Sequence, residues 1–124
     1  VAPFIQKAAA FALTDPGVQQ ETAKMREAYA RRRALVMKLS AELESERVRV
    51  TPPQGAFYCF LDLRALKMND VEMCERIVEE KSVGLVPGSA FGEQGEGFIR
   101  MSIAASDEEV EMGFRKIVEW AEEQ

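Results

Sequence analysis

The sequence has 124 residues, of which 47% are hydrophobic and 30% are charged, a composition typical of one globular domain and not of a disordered chain. Its net charge of −5 argues against the basic surface that non-specific nucleic-acid binding needs, and no window approaches the roughly 18 apolar residues of a membrane span. Because the chain has no histidine, metal sites built on histidine and cysteine, and Ser-His-Asp or Cys-His catalysis, are excluded within it.

Two helices open the predicted fold. Residues 4–13 are rich in alanine and apolar on most sides, which is typical of a short buried helix. Asp15 and Pro16 then predict the N-cap and the first position of a second helix, because a short acidic side chain caps free amides and proline has no amide to satisfy. This second helix extends to about Leu43. We expect its apolar stripe to face the core: Val18, Met25, Tyr29, Val36, Leu39 and Leu43.

Four strand patterns follow. Residues 47–50 alternate polar and apolar side chains, and residues 56–63 form an aromatic-rich strand after a break that contains two prolines and a glycine. Farther along, residues 83–86 and 98–104 are predicted strands on either side of a Pro-Gly turn and a glycine-rich loop. These lengths indicate a small sheet.

Two more helices complete the pattern. Asn69 or Asp70 caps the first, and Ser106 with Glu109 forms a capping box at the start of the second. Their predicted inner stripes are Val71, Cys74, Ile77 and Val78 in the first helix, and Val110, Phe114, Ile117, Val118 and Ala121 in the second. The element order ααββαββα predicts an α+β domain, in which helices cover one face of a small, mostly antiparallel sheet.

Two groups of polar or reactive side chains have simple structural interpretations. Arg31, Arg32 and Arg33 spread around a helix, which predicts a solvated face rather than a phosphate-binding patch. Cys59 falls in an apolar strand and Cys74 on the inner face of a helix, so both are expected to be buried free thiols. Buried free thiols are typical of a reducing compartment, and we therefore expect a cytoplasmic protein.

Arg100 interrupts the apolar run of the last strand. Because side chains alternate across a strand, the core face takes the neighbouring apolar residues: Ile99, Met101 and Ile103. Arg100 then shares the opposite face with Phe98 and Ser102. The planar fork of an arginine matches a carboxylate or a phosphate, so Arg100 is a candidate anion-binding residue. An ion pair with one of the chain's own acidic residues is the alternative interpretation.

Three motifs, taken jointly, resemble one family. The last strand fits the pattern G-x-x-R-x-S-x-A through Gly97, Arg100, Ser102 and Ala104. Residues 87–92 read PGSAFG and residues 53–58 read PQGAFY. With the opening segment VAPFIQKAAAFAL, these motifs are similar to the C-terminal small domain of class I/II, fold-type I pyridoxal-phosphate aminotransferases of the aspartate aminotransferase type. The resemblance implies that residues 1–124 are one small domain, with residues 1–13 at the junction with a large domain.

The resemblance also implies roles for two residues. In this family the arginine of the last strand binds the α-carboxylate of the amino-acid or 2-oxo-acid substrate, a role that falls to Arg100. Gly55 lies in the segment that borders the substrate in the family, and it would offer a backbone contact. Pyridoxal phosphate as the cofactor of the whole enzyme, α-amino acids and 2-oxo acids as substrates, and a homodimer are further implications of the same resemblance.

The sequence has no match to the residues that bind the cofactor in this family. Transamination needs a lysine that forms a Schiff base, an acidic partner for the pyridine nitrogen, and a phosphate-binding cup. None of the lysines has the sequence context that the family requires: Lys7, Lys24, Lys38, Lys67, Lys81 and Lys116. The chain also opens at Val1 without methionine. We therefore expect a fragment of a longer enzyme that holds no cofactor or metal, contains no catalytic residue, and is inactive alone.

A stand-alone module is the alternative interpretation. Such a module would be a small α+β sandwich that binds an amino acid or self-associates without catalysis. It would bury residues 1–13 and give Arg100 a partner within the chain. A fragment would instead expose apolar surface where a large domain docks, and would tend to self-associate.

Overall fold

The computed structural model describes all 124 residues and contains four α-helices and one four-stranded sheet, in the predicted order ααββαββα. The elements are α1 (Pro3–Thr14), α2 (Pro16–Leu43), β1 (Arg49–Thr51), β2 (Tyr58–Asp62), α3 (Asp70–Lys81), β3 (Val86–Pro87), β4 (Phe98–Ser102) and α4 (Asp107–Glu122). Three short 3₁₀ helices lie at Arg64–Leu66, Gly88–Phe91 and Glu93–Gly95. The chain divides into two compact units, Val1–Arg31 and Arg32–Gln124.

The first unit consists of α1 and the first half of α2. The Asp15 carboxylate accepts a hydrogen bond of 3.1 Å from the Val18 amide, so the predicted cap before Pro16 is confirmed. The helix predicted at residues 4–13 is also confirmed, but its predicted burial is wrong, since no residue of α1 is buried. Phe4 and Leu13 are 73% and 77% exposed, because the unit has no second layer that could cover an apolar face.

The apolar stripe of α2 is only partly buried. Val36 and Leu39 are buried, whereas Met25 is exposed. The expectation that the whole stripe faces the core is therefore wrong for the first half of the helix. Both buried positions fall in the second unit, where a sheet and two further helices supply apolar partners.

The sheet lies in the second unit, has the strand order β1-β2-β4-β3, and is antiparallel throughout. Its strands are shorter than the sequence predicts, and β1 and β3 begin two and three residues later than expected. In the central pair, Phe60 lies opposite Arg100 and Cys59 opposite Met101. Side-chain alternation then buries one face of the sheet beneath helices: Cys59, Leu61, Ile99 and Met101.

α4 buries the predicted stripe in full, together with the unanticipated Trp120, whose indole N–H donates to Glu80 at 3.0 Å. In α3 the prediction is partly wrong. Cys74 and Ile77 are buried as expected, but Val71 and Val78 are exposed. The buried set follows the spacing i, i+3, i+4, i+7: Asp70, Met73, Cys74 and Ile77. The side chain of Asn69 accepts from the Val71 and Glu72 amides, which identifies the cap and turns Asp70 inward.

Both cysteines are buried and free, as predicted. Burial raises the pKa of each thiol, that of Cys74 to about 11, so both stay protonated and act as small apolar groups. None of the four α-helices is both long enough and apolar enough to cross a bilayer.

Candidate functional site

Arg100 lies at the centre of the sheet face that the helices leave uncovered. It is the middle residue of β4 and pairs with Phe60 of β2 on one side and Val86 of β3 on the other. Its neighbours Ile99 and Met101 are buried on the opposite face, so the predicted alternation is confirmed. The guanidinium is therefore carried on a strand that is held on both edges and packed from behind.

Two aromatic rings flank the Arg100 guanidinium. Its central carbon lies 4.1 Å from the ring centroid of Tyr58 and 4.4 Å from that of Phe91. Phe91 in turn meets Phe60 edge to face, with ring centroids 5.8 Å apart. Aromatic rings over a guanidinium attract its charge and restrict its motion, while its N–H donors lie in its plane and are not used by the rings. The result is a half-buried, oriented fork.

Arg100 has no acidic partner in this chain. No carboxylate lies within ion-pair distance of it, and its side chain donates no hydrogen bond, whereas Arg64, Arg76 and Arg115 each bind a neighbouring carboxylate. The interpretation of Arg100 as an internal ion pair therefore does not fit the structure. Its donors remain available to an anion from outside the chain.

The glycine-rich loop presents Phe91 to this site. The 3₁₀ helix Gly88–Phe91 follows β3 directly, and its backbone packs against that of Gly95. A Cβ on Gly88 would collide with the Gly95 carbonyl oxygen and would lie 2.7 Å from the Phe98 carbonyl oxygen. Glycine is thus required at this position by close backbone approach, and the loop serves as a support for Phe91.

Asp70 anchors the same loop from α3. Its carboxylate accepts a hydrogen bond of 2.7 Å from the Ser89 amide, and the residue is only 2% exposed. Burial pushes the pKa of Asp70 upward, but hydrogen bonds from Ser89, from its own amide and from Val71 outweigh this effect and hold the pKa below its ordinary value. The sequence indicated Asp70 only as an alternative cap for α3, since nothing local signals a contact with a residue 19 positions away.

The PQGAFY segment leads into the other side of the site. Gly55 lies in an exposed bend between β1 and β2, with open space where a side chain would point. Three residues later, Tyr58 stacks on Arg100. The bend is tied to α2 because the Arg33 side chain donates to the Pro53 carbonyl.

The side chains of Arg32 and Arg33 contact other parts of the fold instead of only facing solvent. The Arg32 side chain is largely buried and donates to the carboxylate of Asp107, the first residue of α4, at 2.9 Å. With the Arg33 contact to Pro53, these two residues link α2 to the segments before β2 and after β4, which lie at the same end of this antiparallel pair. The predicted solvated face is therefore wrong for Arg32, although the absence of a phosphate-binding role is unaffected.

The lysines of this chain do not fit a Schiff-base role. Such a lysine must lose its proton near neutral pH, which requires desolvation or a neighbouring cation. Among the lysines that form ion pairs, Lys81 is the least exposed. It binds Glu123 and Glu119, and these contacts raise its pKa. The others are paired, bonded to a carbonyl or exposed: Lys7, Lys24, Lys38, Lys67 and Lys116. No group of three acidic or cysteine side chains is placed to hold a metal ion.

A small antiparallel sheet with helices on one face is an α+β architecture that this chain shares with solved aminotransferase structures. The family model "Aminotransferase class I and II" matches residues 2–117, so this chain belongs to the class I and II aminotransferase family.

Curated relatives and solved structures agree with this assignment. Over 108 residues the chain is 43% identical to aromatic-amino-acid aminotransferase 2 of Thermococcus litoralis and 42% identical to the aspartate aminotransferase of Pyrococcus abyssi. Each match covers 87% of this chain and 27% of the relative. The crystal structure of the aromatic aminotransferase from Pyrococcus horikoshii OT3 is 38% identical, with a TM-score of 0.85 over 97% of this chain and 31% of that one. The chain thus spans under a third of the length of these proteins.

Proposed function

We propose that this chain is the substrate-carboxylate-binding small domain of an aminotransferase that transfers an amino group between an α-amino acid and a 2-oxo acid. The observation that supports this proposal most directly is the unpaired Arg100 guanidinium, held between two rings on the open face of the sheet. The free N–H donors of Arg100 match the geometry of a carboxylate, and in a member of this family they are suited to bind that of the substrate.

Arg100 binds the α-carboxylate through two parallel N–H···O hydrogen bonds. Tyr58 and Phe91 prevent the guanidinium from rotating out of plane, so the carboxylate is held in a defined orientation. The same rings cover part of the guanidinium, and partial removal of water strengthens an ion pair relative to a fully exposed one. Gly55, in the bend before Tyr58, leaves room for the substrate to approach the backbone.

The amino-transfer chemistry itself belongs to pyridoxal phosphate, which stabilises negative charge on the substrate α-carbon when it is bound. The residues of this chain do not fit that cofactor, because no lysine is placed to hold it. We therefore propose that residues 1–124 form one domain of a longer, homodimeric, cytoplasmic enzyme. A large domain, joined near residues 1–13, would supply the lysine and the phosphate cup, and the isolated chain would not turn over substrate.

The stand-alone module is less consistent with the structure. It requires residues 1–13 to be buried and Arg100 to be paired, whereas α1 contains no buried residue and Arg100 has no acidic partner. An exposed apolar helix at the start of the chain and an unsatisfied fork both fit a domain that functions against another domain.

The carboxylate site can be tested on the 124-residue chain by NMR titration with pyruvate, the simplest 2-oxo acid. We expect pyruvate to shift the Arg100 side-chain resonance and methyl pyruvate, which has no charged carboxylate, to leave it unchanged. Arg100→Ala should weaken pyruvate binding at least about tenfold, since a hydrogen-bonded ion pair is lost. Arg115→Ala, which removes the same charge from α4, is the matched control. Equal binding by Arg100→Ala and wild type would overturn the proposal.

A further inference from the structure

Asp70 is a buried charge that helix capping does not explain. Asn69 already caps α3 through its contacts with the Val71 and Glu72 amides. A carboxylate with 2% exposure is costly to bury unless it is hydrogen-bonded, and the partner outside its own helix is Ser89. The contact of 2.7 Å joins the start of α3 to the Gly88–Phe91 turn.

That turn carries the ring that stacks on Arg100. Ser89 and Phe91 belong to the same 3₁₀ helix, in which the Gly92 amide donates to the Ser89 carbonyl. Because one hydrogen-bonded turn links these residues, a contact that fixes Ser89 also restrains Phe91. Phe91 is 51% exposed, and its ring interacts with the Arg100 guanidinium and with the Phe60 ring. Its position therefore depends on how the turn is anchored.

Two anchors act on the turn, and only one of them is a side chain. The backbone of Gly88 packs against Gly95, which fixes the start of the turn by shape. Asp70 fixes the next residue by a charge-assisted hydrogen bond, roughly twice as strong as a neutral one. Because its pKa is held below the ordinary value, the carboxylate is ionised at neutral pH.

We propose that Asp70 is a positioning residue of the carboxylate site, which holds the Gly88–Phe91 turn through Ser89 and so sets the Phe91 ring against the Arg100 guanidinium. The effect of Asp70 on substrate binding rests on the proposed role of Arg100. Its effect on the position of the Arg100 side chain does not depend on that role. Asp70 itself touches no substrate.

The test uses the ¹⁵N-labelled 124-residue chain and the Arg100 Nε–Hε resonance, assigned by its loss in Arg100→Lys. Stacked rings shield this group, so we expect its proton resonance to lie upfield of those of exposed arginines. Asp70→Ala should move it towards the exposed position and weaken pyruvate binding by about tenfold, as expected for a displaced fork. Asp70→Asn keeps an acceptor oxygen for the Ser89 amide and should restore both properties.

Asn69→Ala is the matched control, because it weakens the cap of the same helix without touching Ser89. It should lower the melting temperature and leave the Arg100 resonance in place. If Asp70→Ala does not fold, Asp70→Ser gives the same test, since its shorter side chain cannot span to Ser89.

An unmoved Arg100 resonance in Asp70→Ala, or an equal movement in Asn69→Ala, would overturn the positioning role. If the wild-type chain fails to bind pyruvate, the proposed function fails by itself. The resonance then still decides whether Asp70 positions the guanidinium.

Discussion

Arg100 shows how a charged side chain can remain unpaired on a strand. The two rings that flank it contribute about 0.5–1 kcal/mol each at a partly exposed site, which is comparable to an exposed ion pair. Tyr58 comes from the neighbouring strand and Phe91 from the loop, so both the sheet register and the loop conformation are needed. The fold thus stabilises the guanidinium without occupying its donors.

Gly88 is the residue on which the loop depends most. Gly88→Ala should lower the free energy of unfolding by about 2 kcal/mol, because the new Cβ collides with the Gly95 carbonyl and the backbone must shift. Gly84→Ala is the matched control, since open space surrounds that position and the same substitution should be neutral or slightly stabilising there. Urea unfolding followed by circular dichroism measures both. Equal stability of the two variants would contradict the close approach of the two backbone segments.

Among the helices, α4 has the most complete set of local signals. Its capping box is present in both directions: the Ser106 hydroxyl accepts from the Glu109 amide at 3.2 Å, and the Glu109 carboxylate accepts from the Ser106 amide at 2.8 Å. Six of its residues are buried, so α4 carries a large part of the core: Val110, Phe114, Ile117, Val118, Trp120 and Ala121.

Ser106→Ala should therefore destabilise the chain by about 1 kcal/mol at neutral pH. Hydrogen bonds from Ser106 lower the pKa of Glu109, so its contribution is present above the ordinary carboxyl pKa and is lost as the pH falls through that value towards the folded-state pKa. Thermal unfolding measured from about pH 7 down to about pH 3, a range that brackets the titration of a carboxyl group, detects both effects. Ser40→Ala on α2 controls for the loss of a hydroxyl. A wild-type-like melting temperature for Ser106→Ala would contradict a stabilising cap.

The contrast between α4 and α3 shows what the sequence can predict. Caps and strand faces follow from residues close together in the chain, which is why Asp15, Ser106 and the inward side of β4 are predicted correctly. The buried face of α3 depends on Asp70 turning inward to meet Ser89 across 19 residues. No local pattern encodes that contact, and the prediction therefore placed the β-branched Val71 and Val78 on the buried face, where they do not lie.

At the scale of the site, the sequence predicts the anion-binding candidate but not its surroundings. Arg100 stands out because a charge interrupts an apolar strand. The stacking of Tyr58 and Phe91 requires the register of β2 against β4 and the path of the loop, neither of which is visible in one sequence. Gly55 remains a prediction from resemblance, supported here only by its place in the bend before Tyr58.

At the scale of the whole molecule, the buried core and the exposed aromatic residues of α1 lie in different parts of the chain. Every residue of the buried core lies at or after Val36. In α1, by contrast, Phe4 and Phe11 are seven residues apart on one helix face and are 73% and 60% exposed. Exposed aromatic surface of this kind favours association in a soluble chain.

A chain that begins at Asp15 should keep the cap of α2 and lose α1. We expect its melting temperature to stay within a few degrees of wild type, because no buried residue is removed, and its self-association to fall. Sedimentation velocity over a range of concentrations measures association, with Phe4→Ser and Phe11→Ser as full-length variants and Met112→Ser, on exposed α4 surface, as the control. Unchanged association after removal of α1 would show that another surface is responsible. A loss of stability as large as that of a core substitution would contradict the finding that α1 contains no buried residue.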